Sequence, residues 1–248
     1  MIVPKTADEL AAMRVSGKLA AGVLARLAAA VAPGTTTGDL DALARELLRE
    51  RGATSAFLGY RGFPGAICVS VNEEVIHGIP GPRRIAAGDL VSLDVGVRYA
   101  EFVGDTATTV MVGVADPDRV RLVATTQRAL EAGIAVVRAG ARLSDVSHAV
   151  ESAARGGGCS VVRAFVGHGV GRDLHEEPQV PNYGRPGRGP VLAAGMTFCI
   201  EPMVNLGRAD VDVLDDGWTV VARDGRPSAH FEHTVAVLAG GAEVLTNP

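Results

Sequence analysis

Apolar residues recur at alternating steps of three and four near the start of the chain, at Leu10, Met13, Gly17, Ala20, Leu24, Leu27 and Val31. With about 3.6 residues per turn, that spacing returns each side chain to one face and predicts an amphipathic helix. Thr6 and Glu9 stand at capping-box spacing before it, and Pro33-Gly34 stops it. A shorter helix is predicted from Asp39 to about Arg49, burying Leu40, Leu43 and Leu47, with Gly52 near its end. The period then falls to two: Ile67 to Val71, and later Val91, Leu93, Val95 and Val97, alternate as strands. Pro117 opens a third helix carrying Val123, Leu130, Ile134 and Val137, which stops at Ala139-Gly140, and a fourth is predicted from Asp145 to Arg155.

The two halves thus share one order of elements. Val31-x-x-Gly34-x-x-x-x-Asp39 has a counterpart 106 residues on in Val137-x-x-Gly140-x-x-x-x-Asp145. Ala86-Ala87-Gly88 leading to Asp94 has one 107 residues on in Ala193-Ala194-Gly195 leading to Glu201. Matches this short also arise by chance in a chain rich in Ala and Gly; the common order of elements weighs towards a duplication. A duplicated α/β (α+β) unit sets Asp94 and Glu201 at equivalent places, facing the seam between halves of 1–115 and 116–248 within one domain, 1–248.

A chain of 248 residues can bury a sizeable core without a disulfide or structural metal. Its net charge of −4 and scattered arginines offer no basic run to neutralise phosphates, so nucleic acid is not an expected partner. Cys68, Cys159 and Cys199 form no CxxC pair and leave an odd thiol, so all three are read as free thiols in a reducing compartment, the cytoplasm. Leu19 to Ala32 imitates a signal-peptide core, but Arg26 interrupts it and Asp8 and Glu9 precede it; neither export nor a membrane span is expected.

Asp94 lies on the face of its strand opposite Val91, Leu93, Val95 and Val97, and Asp105 follows in a second strand-like run. A hairpin turning near Tyr99-Ala100 sets the two acids directly opposite, with Cβ atoms about 4.5–5.5 Å apart, where they repel unless a cation lies between them. Tyr-Ala is not a favoured two-residue turn, and a longer loop is the alternative. As an isolated pair they read more simply as solvated strand aspartates. Their company changes that: His168 within Gly167-His168-Gly169-Val170-Gly171, His175 before Glu176-Glu177-Pro178, Glu201 within the apolar Phe198-Cys199-Ile200-Glu201-Pro202-Met203, and Glu232 beside His233. An acid in the middle of an apolar strand is costly to bury unless paired or bound to metal, so Glu201 is the hardest to read as surface charge. His168 alone would be an ordinary turn histidine. Carboxylates with one imidazole suit Mn, Fe or Co better than a thiolate zinc site. His175-Glu176-Glu177-Pro178-Gln179 lacks the closing histidine of HExxH, His230-Phe231-Glu232 lacks a following P-C-x-x-C, and neither GxSxG nor GxxxxGK[ST] occurs.

Over essentially its whole length the chain resembles the type I methionine aminopeptidases. Seven stretches match in order: Asn72-Glu73-Glu74-Val75-Ile76-His77-Gly78-Ile79-Pro80, Ser92-Leu93-Asp94-Val95, Gly104-Asp105-Thr106, Gly167-His168-Gly169-Val170-Gly171, His175-Glu176-Glu177-Pro178, Glu201-Pro202-Met203 and Glu232-His233-Thr234. The resemblance implies a pita-bread fold, a duplicated unit of helices and antiparallel strands with a pseudo-twofold around a central metal site. It implies two divalent ions (Mn, Fe, Co, Ni or Zn) on Asp94, Asp105, His168, Glu201 and Glu232, with Asp105 and Glu232 bridging. Glu201 is then the proton carrier, His175 a donor to the substrate carbonyl and His77 a contact of the scissile amide nitrogen. Tyr60, Phe63, Cys68 and Trp218, with His77, would form the methionine pocket, although Phe63 and Cys68 singly read equally well as core. Phe63 and Leu174 stand where relatives often carry Tyr and Phe, and His230, two residues before a ligand, either tunes it or lies at the surface.

The substrate class so implied is nascent polypeptides beginning with Met and a small second residue, met at the ribosome surface by a monomer. Two rivals remain: an Xaa-Pro aminopeptidase or prolidase, which usually carries an additional N-terminal domain for which the early first helix leaves no room, and a catalytically inactive pita-bread binding module. All five ligand positions and both histidines are present, against the second.

Overall fold

Four helices of the computed structural model, which describes residues 1–247, begin on local caps. In α1 (Ala7–Ala30) the Thr6 hydroxyl accepts from the Glu9 amide while the Glu9 carboxylate accepts from the Thr6 amide, satisfying two N–H groups that a first turn leaves open. Thr36 and Asp39 repeat the device at α2 (Thr37–Glu50). Asp116 caps α3 (Pro117–Ala135), which has proline at its first position, and the Asp145 carboxylate accepts from the Arg142 amide at α4 (Leu143–Gly156). Leu10, Met13, Gly17, Ala20, Leu24 and Leu27 are all buried, as the spacing predicts.

Two large apolar cores result, with two smaller clusters beside them among the described residues. Leu24, Leu27, Leu40 and Leu47 of α1 and α2 pack on Val69, Val91, Leu93 and Val95, while Leu122, Leu130, Val146 and Val150 of α3 and α4 pack on Phe198, Ile200 and Val235. Burying each such side chain contributes about 1.5–3 kcal/mol. The strands between them form one antiparallel sheet in the spatial order Thr54–Ser55, Leu90–Tyr99, Phe102–Met111, Glu232–Val237, Thr197–Ile200, Gly167–Gly169 and Glu176–Val180; Cys68–Val71 and Ala242–Val244 add to its margins. The halves meet where Phe102–Met111 pairs with Glu232–Val237, His233 opposite Thr106 and Glu232 opposite Ala107. Because strand side chains alternate, Thr106, Thr108 and His233 face α1 and α3 while Asp105 and Glu232 face the other way, into a cavity.

The duplication seen in the sequence recurs in the backbone. Gly34 and Gly140 share φ of 94° and 88°, Gly88 and Gly195 share 96° and 89°, and the bridges Thr36–Arg84 and Arg142–Val191 are equivalent.

The hairpin register differs from expectation. The turn lies at Ala100-Glu101, whose φ values of 46° and 73° make a left-handed two-residue turn, so Asp94 pairs with Ala107 and Asp105 with Gly96. The two aspartates share a face but are displaced diagonally rather than directly opposed. A left-handed turn matches the twist of the flanking strands, which outweighs the backbone cost at Ala and Glu. Helix α3 also ends four residues before the Ala139-Gly140 stop, at Ala135. Among the described residues no helix is long and apolar enough to cross a membrane.

Candidate metal centre and active site

Five strands adjacent in the sheet each deliver one donor to the cavity floor: Asp94 from Leu90–Tyr99, Asp105 from Phe102–Met111, Glu232 from Glu232–Val237, Glu201 one residue beyond Thr197–Ile200, and His168 from Gly167–Gly169. Asp105, Glu232, His168 and Glu201 are buried and Asp94 is half-buried. His168 Nε2 lies 3.4 Å from Glu201 Oε1 and 3.8 Å from Asp105 Oδ2. Its Nδ1 meets the Gly169 carbonyl at 3.0 Å and so carries the proton, leaving the Nε2 lone pair turned towards the acids.

Without a cation this arrangement is uncompensated. Asp94 Oδ1, Asp105 Oδ1 and Glu232 Oε1 are buried with no hydrogen-bond partner among the described residues. Burial first, and then the charge of Asp105, pushes the Asp94, Glu201 and Glu232 carboxyls well above the usual range; burial pushes Asp105 up to about 7. Burial, with the neighbouring His175, takes His168 down to about 3. Orphaned carboxylate oxygens facing a neutral imidazole nitrogen fit a divalent cation, and oxygen-rich donors with one nitrogen fit Mn, Fe or Co.

The structure also brings Cys199 to this cluster: donor atoms of Asp105, His168, Cys199 and Glu232 lie within 4.8 Å of one another. Its thiol contacts Thr234 Oγ1 at 3.6 Å and is pushed well up by burial and by the acids, which keeps it protonated. Cys68, Cys159 and Cys199 are all free.

Above the floor, Tyr60, Phe63, Cys68, His77, His175 and Trp218 line one cavity of about 250 Å³. Tyr60 stacks on His175 with centroids 5.3 Å apart, and Phe63 meets Trp218 edge-on at 5.1 Å. His77, in left-handed backbone (φ 60°), packs edge-on against Phe165 at 5.7 Å and Trp218 at 6.1 Å. Burial lowers His77 to about 4, and burial with the Arg61 charge lowers His175, so both imidazoles are neutral near pH 7 and each can donate one N–H.

Sequence reasoning missed Phe57, Arg61, Phe165 and Cys199. Arg61 had a signal in its place between Tyr60 and Phe63, and Phe165 in its place three residues before His168. His230 is not a surface residue: it is 2% exposed, with Nε2 unpartnered among the described residues and 4.0 Å from Glu201 Oε2.

Metallopeptidase family M24 matches residues 11–239. The sequence is 48% identical to methionine aminopeptidase of Clostridium perfringens and 46% identical to methionine aminopeptidase 1 of Bacillus subtilis, with 99% of each chain covered in both comparisons. The crystal structure of methionine aminopeptidase from Rickettsia prowazekii matches with a TM-score of 0.98 at 42% identity, both chains fully covered. The chain belongs to the methionine aminopeptidases of family M24. Its fold is therefore the pita-bread fold of that family, and it is a metallo-exopeptidase. A prolidase from Pyrococcus furiosus shares the fold at a TM-score of 0.80, but at 20% identity and with only 66% of that longer chain covered. The Xaa-Pro rival thus shares the architecture without the sequence of this methionine aminopeptidase.

Proposed function

We propose that Asp94, Asp105, His168, Glu201 and Glu232 hold two divalent cations, Asp105 and Glu232 shared between them, and that the enzyme there hydrolyses the peptide bond after an N-terminal methionine. The observation that carries this reading is the convergence of five adjacent strands on four carboxylates and one imidazole, with buried oxygens of Asp94, Asp105 and Glu232 that have no hydrogen-bond partner among the described residues. When bound, the cations would supply an acidified water and polarise the scissile carbonyl. Glu201 accepts the proton of the attacking water and delivers it to the leaving amine. His175, at the cavity mouth, donates its N–H to the carbonyl oxygen as charge develops, and His77 contacts the scissile amide nitrogen. Tyr60, Phe63, Cys68 and Trp218 enclose the methionine side chain, whose thioether packs well on aromatic edges. The free α-amino group is seated at the floor of the cavity, so only the terminal residue is cut.

The substrates are nascent chains with a small second residue, met in the cytoplasm at the ribosome surface by a monomer. The deciding measurement is release of free methionine from a Met-Ala peptide by chelated protein resupplied with Mn, Fe, Co, Ni or Zn. Metal-dependent release, with none from an Xaa-Pro peptide, is expected; no release with any metal would leave a binding module.

A further inference from the structure

One charged group of the cavity has no part in this chemistry. Arg61 lines the mouth and is exposed, beside half-buried Tyr60 and buried Phe63. Among the described residues it forms no ion pair, whereas Arg14, Arg45, Arg83 and Arg223 each face a carboxylate. Its guanidinium carbon stands 5.3 Å from the centre of the Tyr60 ring, and Tyr60 in turn stacks on His175. The cation is thus two rings out from the place assigned to the scissile carbonyl.

The backbone fixes it there. Arg61 is left-handed, at φ 49° and ψ 25°, between Gly59 and Gly62, which are left-handed at 80° and 89°. The tight turn is closed by Gly59 N–H to the Phe63 carbonyl at 2.8 Å and Phe63 N–H to the Tyr60 carbonyl at 2.9 Å. Left-handed backbone is unfavourable for arginine and is maintained only where the surrounding turn imposes it. The cavity rim therefore carries a cation that, among the described residues, no carboxylate answers.

We propose that Arg61 is a specificity determinant that favours substrates carrying a carboxylate just beyond the scissile bond, either an acidic side chain at the third residue or the C-terminus of a short peptide. The proposal rests on the aminopeptidase reading, which puts the α-amino group at the floor and the scissile bond beside His175. Two extended residues span roughly 7 Å, which carries the third residue past His175 towards the rim, where Arg61 stands over Tyr60. An exposed cation acts mainly on encounter and on KM, and salt screens it.

The test compares C-terminally amidated Met-Ala-Glu-Ser, Met-Ala-Gln-Ser and Met-Ala-Lys-Ser, and Met-Ala-Ser as free acid and as amide, with metal-loaded wild type, Arg61→Gln and Arg61→Glu. Wild type is expected to prefer Glu over Lys by about three- to tenfold in kcat/KM at low salt, chiefly through KM, with the preference shrinking as salt is added. Arg61→Gln should flatten the series and Arg61→Glu invert it; ratios within one variant cancel any loss of overall rate. A preference confined to the free acid of Met-Ala-Ser assigns the carboxylate to a chain end, and one confined to Glu assigns it to a side chain. Equal rates across all peptides, or a preference that survives Arg61→Glu, would overturn the proposal while leaving the aminopeptidase reading intact. Absence of methionine release from every peptide would overturn both.

Discussion

At the level of single residues, protons and cations compete for the cavity floor. Burial holds the Asp105 carboxyl at about 7 and keeps Asp94, Glu201 and Glu232 well above the ordinary carboxylate range, while His168, lowered to about 3, carries no proton on its free nitrogen. The ion-free site therefore stores its protons on oxygen, and a divalent cation must displace them. Affinity for Mn or Co is expected to rise with pH through the region near 7, each displaced proton steepening the plot of log K against pH by about one. Calorimetry at about pH 6 and about pH 8, in buffers of different ionisation heat, counts the protons released. Asp105→Asn, which has no such proton and one donor oxygen fewer, should release fewer protons and bind at least about tenfold more weakly. A pH-independent affinity with no proton release would remove the carboxylates from the ligand set.

Among the elements, what was legible in the sequence is what local chemistry decides. Thr6-x-x-Glu9 caps its helix as the spacing predicts, because a capping box needs only residues three apart; the same device at Thr36-x-x-Asp39 starts the second helix two residues before the expected Asp39. The turn of the central hairpin was not legible: Ala100 and Glu101 have no intrinsic taste for left-handed backbone, and the strand pairing imposes it on them. Arg61 and Phe165 escaped notice for a related reason, since only the assembled cavity gives an exposed arginine and a lone phenylalanine a common purpose. The close seat of α1 on the sheet was equally hidden. A methyl group on Gly104 would lie 2.6 Å from both Cα and N of Gly17, so helix and strand touch backbone to backbone just before Asp105. Gly104→Ala should force them apart, costing about 1–3 kcal/mol and shifting Asp105, with a melting temperature lower by several degrees and weaker metal uptake. Gly22→Ala, on the same helix with open space around its Cβ, should instead stabilise by up to about 1 kcal/mol. Equal melting of the two variants would mean that the crossing relaxes freely.

For the molecule as a whole, the seam between the two cores is closed largely by threonine. Ordinary pairing of Phe102–Met111 with Glu232–Val237 extends over only Glu232–Ala107 and His233–Thr106. On one side of it, Thr234 Oγ1 accepts from the Asp105 amide at 3.0 Å and donates to the Asp105 carbonyl at 2.8 Å. On the other, Thr109 Oγ1 does the same for His230, at 2.9 and 2.8 Å. Each buried hydroxyl stands in for a partner residue of the ladder; Thr234 does so immediately beside the His233–Thr106 pair, at Asp105 itself, and Thr109 two positions beyond the Glu232–Ala107 pair. Thr234→Val keeps the shape but strands a buried amide and a buried carbonyl, at about 1–3 kcal/mol for each group left unsatisfied. Because Asp105 and Glu232 stand on opposite strands of this seam, loosening it should weaken metal binding as well as folding, and should speed hydrogen exchange at the Asp105 amide. Thr234→Ser restores the hydroxyl and should recover both. Metal added at about one hundred times its dissociation constant should return about 2.7 kcal/mol of stability to wild type, and less at the same concentration to Thr234→Val, whose affinity is lower. Were Thr234→Val to melt and bind metal like wild type, the ladder would be closed by strand pairing alone, and the hydroxyls would be passengers in it.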